Sequence, residues 1–201
     1  MPYRKLPRSF YDRATLEVAP DLLGKYVVYH SPQGKIVSRV VEVEAYIGQD
    51  DPACHASRGL TPRTRPMFGP PGRTYIYFIY GMYFCLNFVT EPEGFPAAVL
   101  LRAAELVEGR EAISLPPKAK RDDPHPLSGP GRFCRALGLT TDQNDLDLTG
   151  EVIYLQDRNG ETVSIQQSCR IGINAGADRR WRFYDSNSGA VTRPRQARRK
   201  G

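Results

Sequence analysis

Alternation of apolar and polar positions gives the chain its first outline. YVVYH (26 to 30) and KIVSRVVEVEAY (35 to 46), joined by SPQG, read as the two strands of a hairpin. In the second strand Val41, Val43 and Ala45 are expected on one face, with Glu42, Glu44 and Tyr46 on the other. The stretch RTYIYFIYGMYFCLN (73 to 87) alternates with period two from Tyr75 to Tyr80 and then meets Gly81, the pattern of a strand entering a turn. Its faces are Tyr75, Tyr77, Ile79 and Ile76, Phe78, Tyr80. AAVLLRAA (97 to 104) is a continuous apolar run, hence a buried strand, yet it carries Arg102, which must be paired or must reach a pocket. EVIYLQ, TVSIQQSCRIGI and WRFYD add further strands. Helical signals are short. Residues 12 to 24 predict one or two helices, with Asp12 as a cap, Pro20 opening a second turn and Gly24 as the stop, and RFCRALGL predicts another. Many strands and few helices predict a mixed α/β (α+β) domain around a largely antiparallel sheet.

Two segments escape both periodicities. Residues 47 to 72, IGQDDPACHASRGLTPRTRPMFGPPG, are Pro-rich and lie between two predicted strands, with Cys54, Met67 and Phe68 as anchors, which favours an ordered binding loop. LPPKAKRDDPHPLSGPG (115 to 131) reads as a surface linker. The SGPG turn that ends it could offer backbone N–H groups to a phosphate, although such a turn is a weak signal alone.

Composition narrows the class. A chain of 201 residues, 40% hydrophobic and 25% charged, suits one globular domain with a sizeable core. It has no repeat period, no apolar run that would span a bilayer and no apolar leader, so a soluble intracellular protein is expected. Cys54, Cys85, Cys134 and Cys169 lack the paired spacing of a zinc site; buried free thiols and no metal are expected.

Charge is unevenly placed. The net charge is +6, but Arg193, Arg195, Arg198, Arg199 and Lys200 supply five cations in a tail without acids, read as disordered, leaving about +1 elsewhere. From Pro52 to Thr90 the chain has no Asp or Glu over 39 residues, while Arg58, Arg63, Arg65 and Arg73 all fall within that stretch. Acid exclusion beside a tyrosine cluster is an electrostatic footprint for phosphate.

A strand glutamate is ordinarily a surface carboxylate or an arginine partner. Glu44 has Val40, Val41, Val43 and Ala45 around it, and partial burial would raise its pKa into the range of a general base. Glu42 competes on the same face, and spacing leaves the choice between them open. His55 and Asn87 are each unremarkable alone. Together these groups offer what an enzyme acting on a nucleobase requires: rings for a pocket, a ring on an exposed turn, arginines for phosphates and an acid or base.

The block VEVEAYIGQDDPACHASRGLTPRTRPMFGPPGRTYIYFIYGMYFCLN, with DLLGK, VLLRAAE, SGPGRFCRALGL, RIGI and WRFYD around it, resembles the alkyladenine (3-methyladenine) DNA glycosylases over most of the chain. The resemblance implies a curved sheet with flanking helices and a protruding β-hairpin, related to the C-terminal domain of a formyltransferase. The domain would span residues 1 to 192, ahead of the tail at 193 to 201. It implies that Glu44 activates water for attack on the sugar C1′ and that Arg102 stands beside that water and the nucleotide's phosphate. Tyr46 and His55 would flank the flipped base on one side and Tyr77 on the other, and Asn87 would crowd a purine 2-amino group. Tyr80 would enter the duplex, with Met82 and Tyr83 following it on that surface.

The implied partner is double-stranded DNA holding a damaged purine such as 3-methyladenine, 7-methylguanine, hypoxanthine or ethenoadenine. Cationic alkylated rings would bind tyrosine faces through cation–π attraction. A bacterial-type member is expected to be a cytoplasmic, nucleoid-associated monomer without a cofactor. Independently, no lysine occurs between Lys35 and Lys118, so the block has no amine for a Schiff base, which favours a water nucleophile and no lyase step. The region after LVEGREAIS is shorter than in relatives, which bears on peripheral DNA contacts. Two other readings are a non-catalytic nucleic-acid-binding module and a free-nucleoside hydrolase. Stacking alone gives no reason for Glu44, and a small neutral substrate needs neither the arginine stretch nor the basic tail.

Overall fold

A computed structural model describes residues 3 to 192 apart from 117 to 119, 121, 159 and 161. The basic tail and part of the predicted surface linker therefore lie outside the described residues. The expected hairpin forms from β2 (Tyr26–Ser31) and β3 (Gly34–Ile47), closed by Pro32 and Gln33. The aromatic strand is β4 (Thr74–Ile79), which turns back as β5 (Tyr83–Val89), and the apolar run is β6 (Ala97–Glu108), four residues longer than its apolar core suggests. With β1 (Arg4–Lys5) and β7 (Ile153–Asp157) they form one sheet in the order β1-β7-β2-β3-β6-β5-β4. A two-strand extension, β8 (Ile165–Ser168) and β9 (Arg182–Asp185), joins it through β3, and all pairings among the described strands are antiparallel. Three short helices, α1 (Arg8–Tyr11), α2 (Thr15–Asp21) and α3 (Pro130–Leu137), complete an α+β fold. None of the described helices is long and apolar enough to cross a membrane.

Strand β3 is the spine. On one edge it pairs with β6 along most of its length; on the other it meets β2 over residues 34 to 39 and β9 over 42 to 44. Its interior positions are thus hydrogen-bonded on both edges, which holds side chains there more rigidly than an edge strand would.

The expected grouping of Val41 with Val43 and Ala45 does not occur. Val40, Val43 and Ala45 enter the main core, whereas Val41 packs with Ala103 and Ala190 in a separate cluster. The cause is a pair of opposed β-bulges. Val40 pairs with Ala104 and Glu42 with Ala103, so Val41 is the extra residue on β3; Val43 then pairs with Leu101, so Arg102 is the extra residue on β6. Each bulge flips the inward and outward alternation of its strand. Even-numbered residues of β3, Ile36 and Val40, face the core before the flip, and odd-numbered ones, Val43 and Ala45, face it afterwards.

Local helix signals were also partly overridden. Asp12 ends α1 rather than capping a helix start, and Pro20 lies inside α2, within its last turn, rather than opening a new one. Gly24 does stop the segment, with φ of 79° and its N–H donated to Val40 O. Only Ile165–Ser168 of TVSIQQSCRIGI is a strand, because the chain leaves β9 there to reach the site described below. That exit leaves Cys169 exposed, contrary to the expectation of four buried thiols; Cys54, Cys85 and Cys134 are buried.

Candidate active site

The segment between β3 and β4 is ordered by two 3₁₀ turns, His55–Arg58 and Arg65–Phe68. Cys54, Ala56 and Met67 pack with Tyr75, Val89 and Ala98 in a small core of their own, with Phe68 against it as the composition suggested. This packing closes one side of a cavity of about 280 Å³, near the lower end of the sizes of ligand sites. Tyr46 from β3, His55, Tyr75, Tyr77 and Ile79 from β4, Asn87 from β5 and Arg102 from β6 line it, with Ile171 to Ile173 across the mouth.

Glu44 stands one layer behind that wall and is fully buried. Two wall residues donate hydrogen bonds to its carboxylate, the Tyr46 hydroxyl to Oε2 at 2.8 Å and the Ile171 N–H to Oε1 at 2.7 Å, and a third, Arg102, forms an ion pair with it, Nη1 lying 3.2 Å from Oε1. Burial pushes its pKa above the ordinary carboxylate value against the pull of those donors. Glu42, its competitor, holds a different post. It accepts from Arg102 Nε at 2.9 Å, Arg182 Nε at 2.7 Å, and both the N–H and the hydroxyl of Thr192. A carboxylate has about four acceptor sites; among the described residues Glu42 receives four donors, whereas Glu44 receives two besides its ion pair with Arg102 and so keeps acceptor capacity open, on Oε2 as well. The bulge at Arg102 puts its guanidinium on the same face as both carboxylates, bridging them.

The aromatic residues do not form an open clamp. His55 meets Tyr77 edge to face, with centroids 4.4 Å apart at 85°, so in this arrangement no ring fits between them. His55 Nδ1 bonds the Tyr75 hydroxyl at 2.9 Å. Burial, then the nearby Arg63 charge, lower the His55 pKa to about 4, so its ring is neutral at ordinary pH. Burial raises the phenols of Tyr46 and Tyr77 far above their usual value, and that of Tyr75 to about 12. Asn87 gives both amide hydrogens to backbone, to Tyr75 O at 2.9 Å and Cys85 O at 3.3 Å, which leaves an acceptor oxygen as its remaining hydrogen-bonding group.

The turn from β4 to β5 overlooks the cavity. Tyr80 and Gly81 both take left-handed backbone, φ of 54° and 66°, an uncommon state for a bulky residue, and Tyr80 is 74% exposed while lining the cavity mouth. Met82 is exposed beside it. Tyr83 departs from the expected surface placement: it is half-buried on α3, where a Cβ at Gly131 would lie 2.6 Å from its ring, and the Arg135 guanidinium lies 5.0 Å from its centroid. The glycine of SGPGR is needed for this packing.

Of the four predicted phosphate ligands, Arg58, Arg63 and Arg65 are exposed on the loop, with Arg63 5.3 Å over the Tyr77 ring. Arg73, just before β4, donates to Asp145 O at 2.6 Å, on the order of 20 Å along the strand from the hairpin tip.

Sequence reading missed the groups that complete the site from a distance. Thr192 and Arg182 fill Glu42, and Ile171 serves Glu44 across 127 positions. Asp51 and Arg170 form a fully buried pair between the loop and the cavity mouth. The available signals were that Asp51 is the last acid before the acid-free stretch and that Arg170 opens the RIGI motif.

A family model described as "Methylpurine-DNA glycosylase (MPG)" matches residues 9 to 189. A protein of Methanocella arvoryzae is 54% identical over 94% of this chain and 96% of its own. One from the Wolbachia of Brugia malayi is 50% identical over 89% and 95%, and one from Alkaliphilus oremlandii 42% identical over 94% and 99%. All three bear the name "Putative 3-methyladenine DNA glycosylase". With a match across nearly the whole domain and relatives this similar along their full lengths, the chain belongs to the methylpurine-DNA glycosylase family.

Proposed function

We propose that the protein is a monofunctional DNA glycosylase that turns a damaged purine out of duplex DNA into the cavity and hydrolyses its N-glycosidic bond. Substrates of this reading are 3-methyladenine, 7-methylguanine, hypoxanthine and ethenoadenine. The observation that carries it is the open acceptor on Glu44, a buried carboxylate of raised pKa behind a wall of tyrosines. A water on Oε2 gives its proton to Glu44 as its oxygen bonds C1′; the C1′–N bond breaks and the base leaves with the electron pair. A cationic alkylated base leaves neutral, whereas hypoxanthine takes up a proton as well.

Arg102 balances the charge of Glu44 and lies in the cavity wall, where a nucleotide's phosphate can reach it. Entry of a base requires the His55 ring to swing off Tyr77, after which Tyr46 and Tyr77 supply stacking faces and Asn87 meets the purine edge. Tyr80 and Met82 fill the space left in the duplex, Tyr83 anchors their hairpin, and Arg58, Arg63 and Arg65 contact phosphates. Among the described residues no lysine lines the cavity; Lys5, Lys25 and Lys35 are paired with Glu151, Asp157 and Glu108. That supports a water nucleophile.

The test incubates wild type and Glu44→Gln with duplexes holding one hypoxanthine, one ethenoadenine, or methylated purines, followed by hot alkali. Wild type yields alkali-dependent breaks, and Glu44→Gln is slower by about 10²–10⁴-fold with duplex binding retained. Breaks without alkali would overturn the monofunctional reading. Binding by both proteins with no excision of any lesion would leave a nucleic-acid-binding module.

A further inference from the structure

Asp51 and Arg170, 119 positions apart, are both completely buried. Arg170 Nη1 donates to Asp51 Oδ2 at 2.6 Å and Nη2 to Oδ1 at 2.7 Å, a two-point fork. The same guanidinium also bonds Ala45 O at 2.9 Å and Gly176 O at 3.2 Å. It stacks between Tyr46, 4.6 Å from that ring's centroid, and Trp181 at 5.1 Å. A buried ion pair adds little net stability over apolar residues of the same volume, so what it orients is the better account of its presence. Two of the groups it touches or adjoins are donors to Glu44: Tyr46 lies under its face, and Ile171 is the next residue in the chain.

We infer that Asp51 and Arg170 are positioning residues for the proposed base, holding the Tyr46 hydroxyl and the Ile171 N–H on the Glu44 carboxylate. The inference rests on the reading of Glu44 as that base. If the brace is loosened, Glu44 keeps Arg102 alone and its protonated form gains. Both of the bonds that would be lost now lower its pKa.

The other groups facing Glu44 are Glu42 on β3, Arg102 on β6, Arg182 on β9, Tyr77 on β4 and Cys85 on β5, with Arg170 itself. The phenols and the thiol are held neutral by burial, Arg102 and Arg170 are held charged by their carboxylates, and Glu42 keeps its own four donors. His55, against Tyr77 in the cavity wall and with its pKa lowered to about 4, titrates below the raised Glu44, so an acid limb displaced to higher pH reports Glu44.

The experiment measures single-turnover excision of a lesion duplex against pH for the full-length wild type, Asp51→Asn and Arg170→Lys. Duplex affinity and the emission of Trp181, the chain's single tryptophan, are followed in parallel. Both variants are expected to excise on the order of ten- to a hundredfold more slowly at neutral pH, with the acid limb moved to higher pH and affinity unchanged. Arg170→Lys keeps the charge but not the fork, so it separates positioning from charge. An acid limb at the wild-type position in both variants overturns the inference, whatever their rates. So does failure of both to fold with wild-type Trp181 emission, which would make the pair a requirement of the fold. A Glu44→Gln protein that still excises with an unaltered limb removes the reading of Glu44 instead.

Discussion

Glu42 and Glu44 stand two residues apart on one face of β3, equally buried and both touching Arg102, yet their surroundings differ in kind. Around Glu42 the chain has gathered two guanidiniums, a backbone N–H and a hydroxyl, from β6, β9 and the residues that follow β9. Around Glu44, among the described residues, it has gathered two donors and the Arg102 ion pair, all from the wall of the cavity. Burial is common to both, so burial does not separate a structural carboxylate from a reactive one. The number of donors does: a filled carboxylate ties strands together, and one with an open lone pair can still take a proton from water.

The sharpest way to break this comparison is to neutralise each carboxylate in turn. Glu44→Gln should lose the excision described above while melting within a few degrees of wild type. Glu42→Gln leaves Arg102 and Arg182 buried beside an uncharged partner, at about 3–5 kcal/mol, and should melt roughly 10 °C lower by calorimetry. Loss of excision with wild-type stability in Glu42→Gln would assign the two roles the other way round.

A smaller effect comes from the chain's end. Truncation after Thr192 keeps all four Glu42 donors and should change only DNA binding, lowering the slope of log K against log salt by about 1. Truncation before Thr192 also removes two of those donors and should lower the melting temperature by several degrees. Identical melting of the two truncations would show that Glu42 does not need Thr192.

The smallest effect is a pH trend. The Glu44 pKa is raised in the fold, so between its ordinary value of 4.5 and that raised value the folded state binds more protons than the unfolded chain. Stability must then fall as pH rises through this window, and Glu44→Gln should gain on wild type across it in urea melts taken at successive pH values. A constant difference from acid to neutral pH would contradict the raised value.

What the sequence made legible were features encoded within a few neighbouring residues. The β2–β3 hairpin, the alternation of Tyr75, Tyr77 and Ile79 toward the cavity, the anchoring of the proline-rich loop by Cys54 and Met67, and the helix after SGPG all follow from local pattern and turn chemistry. Paired carboxylates on one face of β3 were legible as well. The choice between them was not, because it depends on Thr192, Arg182 and Ile171, which arrive from more than a hundred positions away. The same distance hid the Asp51–Arg170 fork. Val41 was misplaced because period-two counting assumes an unbroken ladder.

The opposed bulges at Val41 and Arg102 bear on which changes in chain length this fold can survive. Registers on either side agree because the two extra residues cancel: Val40 pairs with Ala104 before the flip and Val43 with Leu101 after it. Deleting Val41 alone would set Glu44 opposite Leu101, whose side chain faces the core, so strand neighbours would point to opposite sides of the sheet. A descendant of this sequence can shorten or lengthen β3 at that point only by altering β6 in the same step, and a shortening that removed both extra residues would take Arg102 with it. The site is thereby protected against single insertions and deletions by the geometry of its own ladder, and alignments of relatives should place their gaps elsewhere.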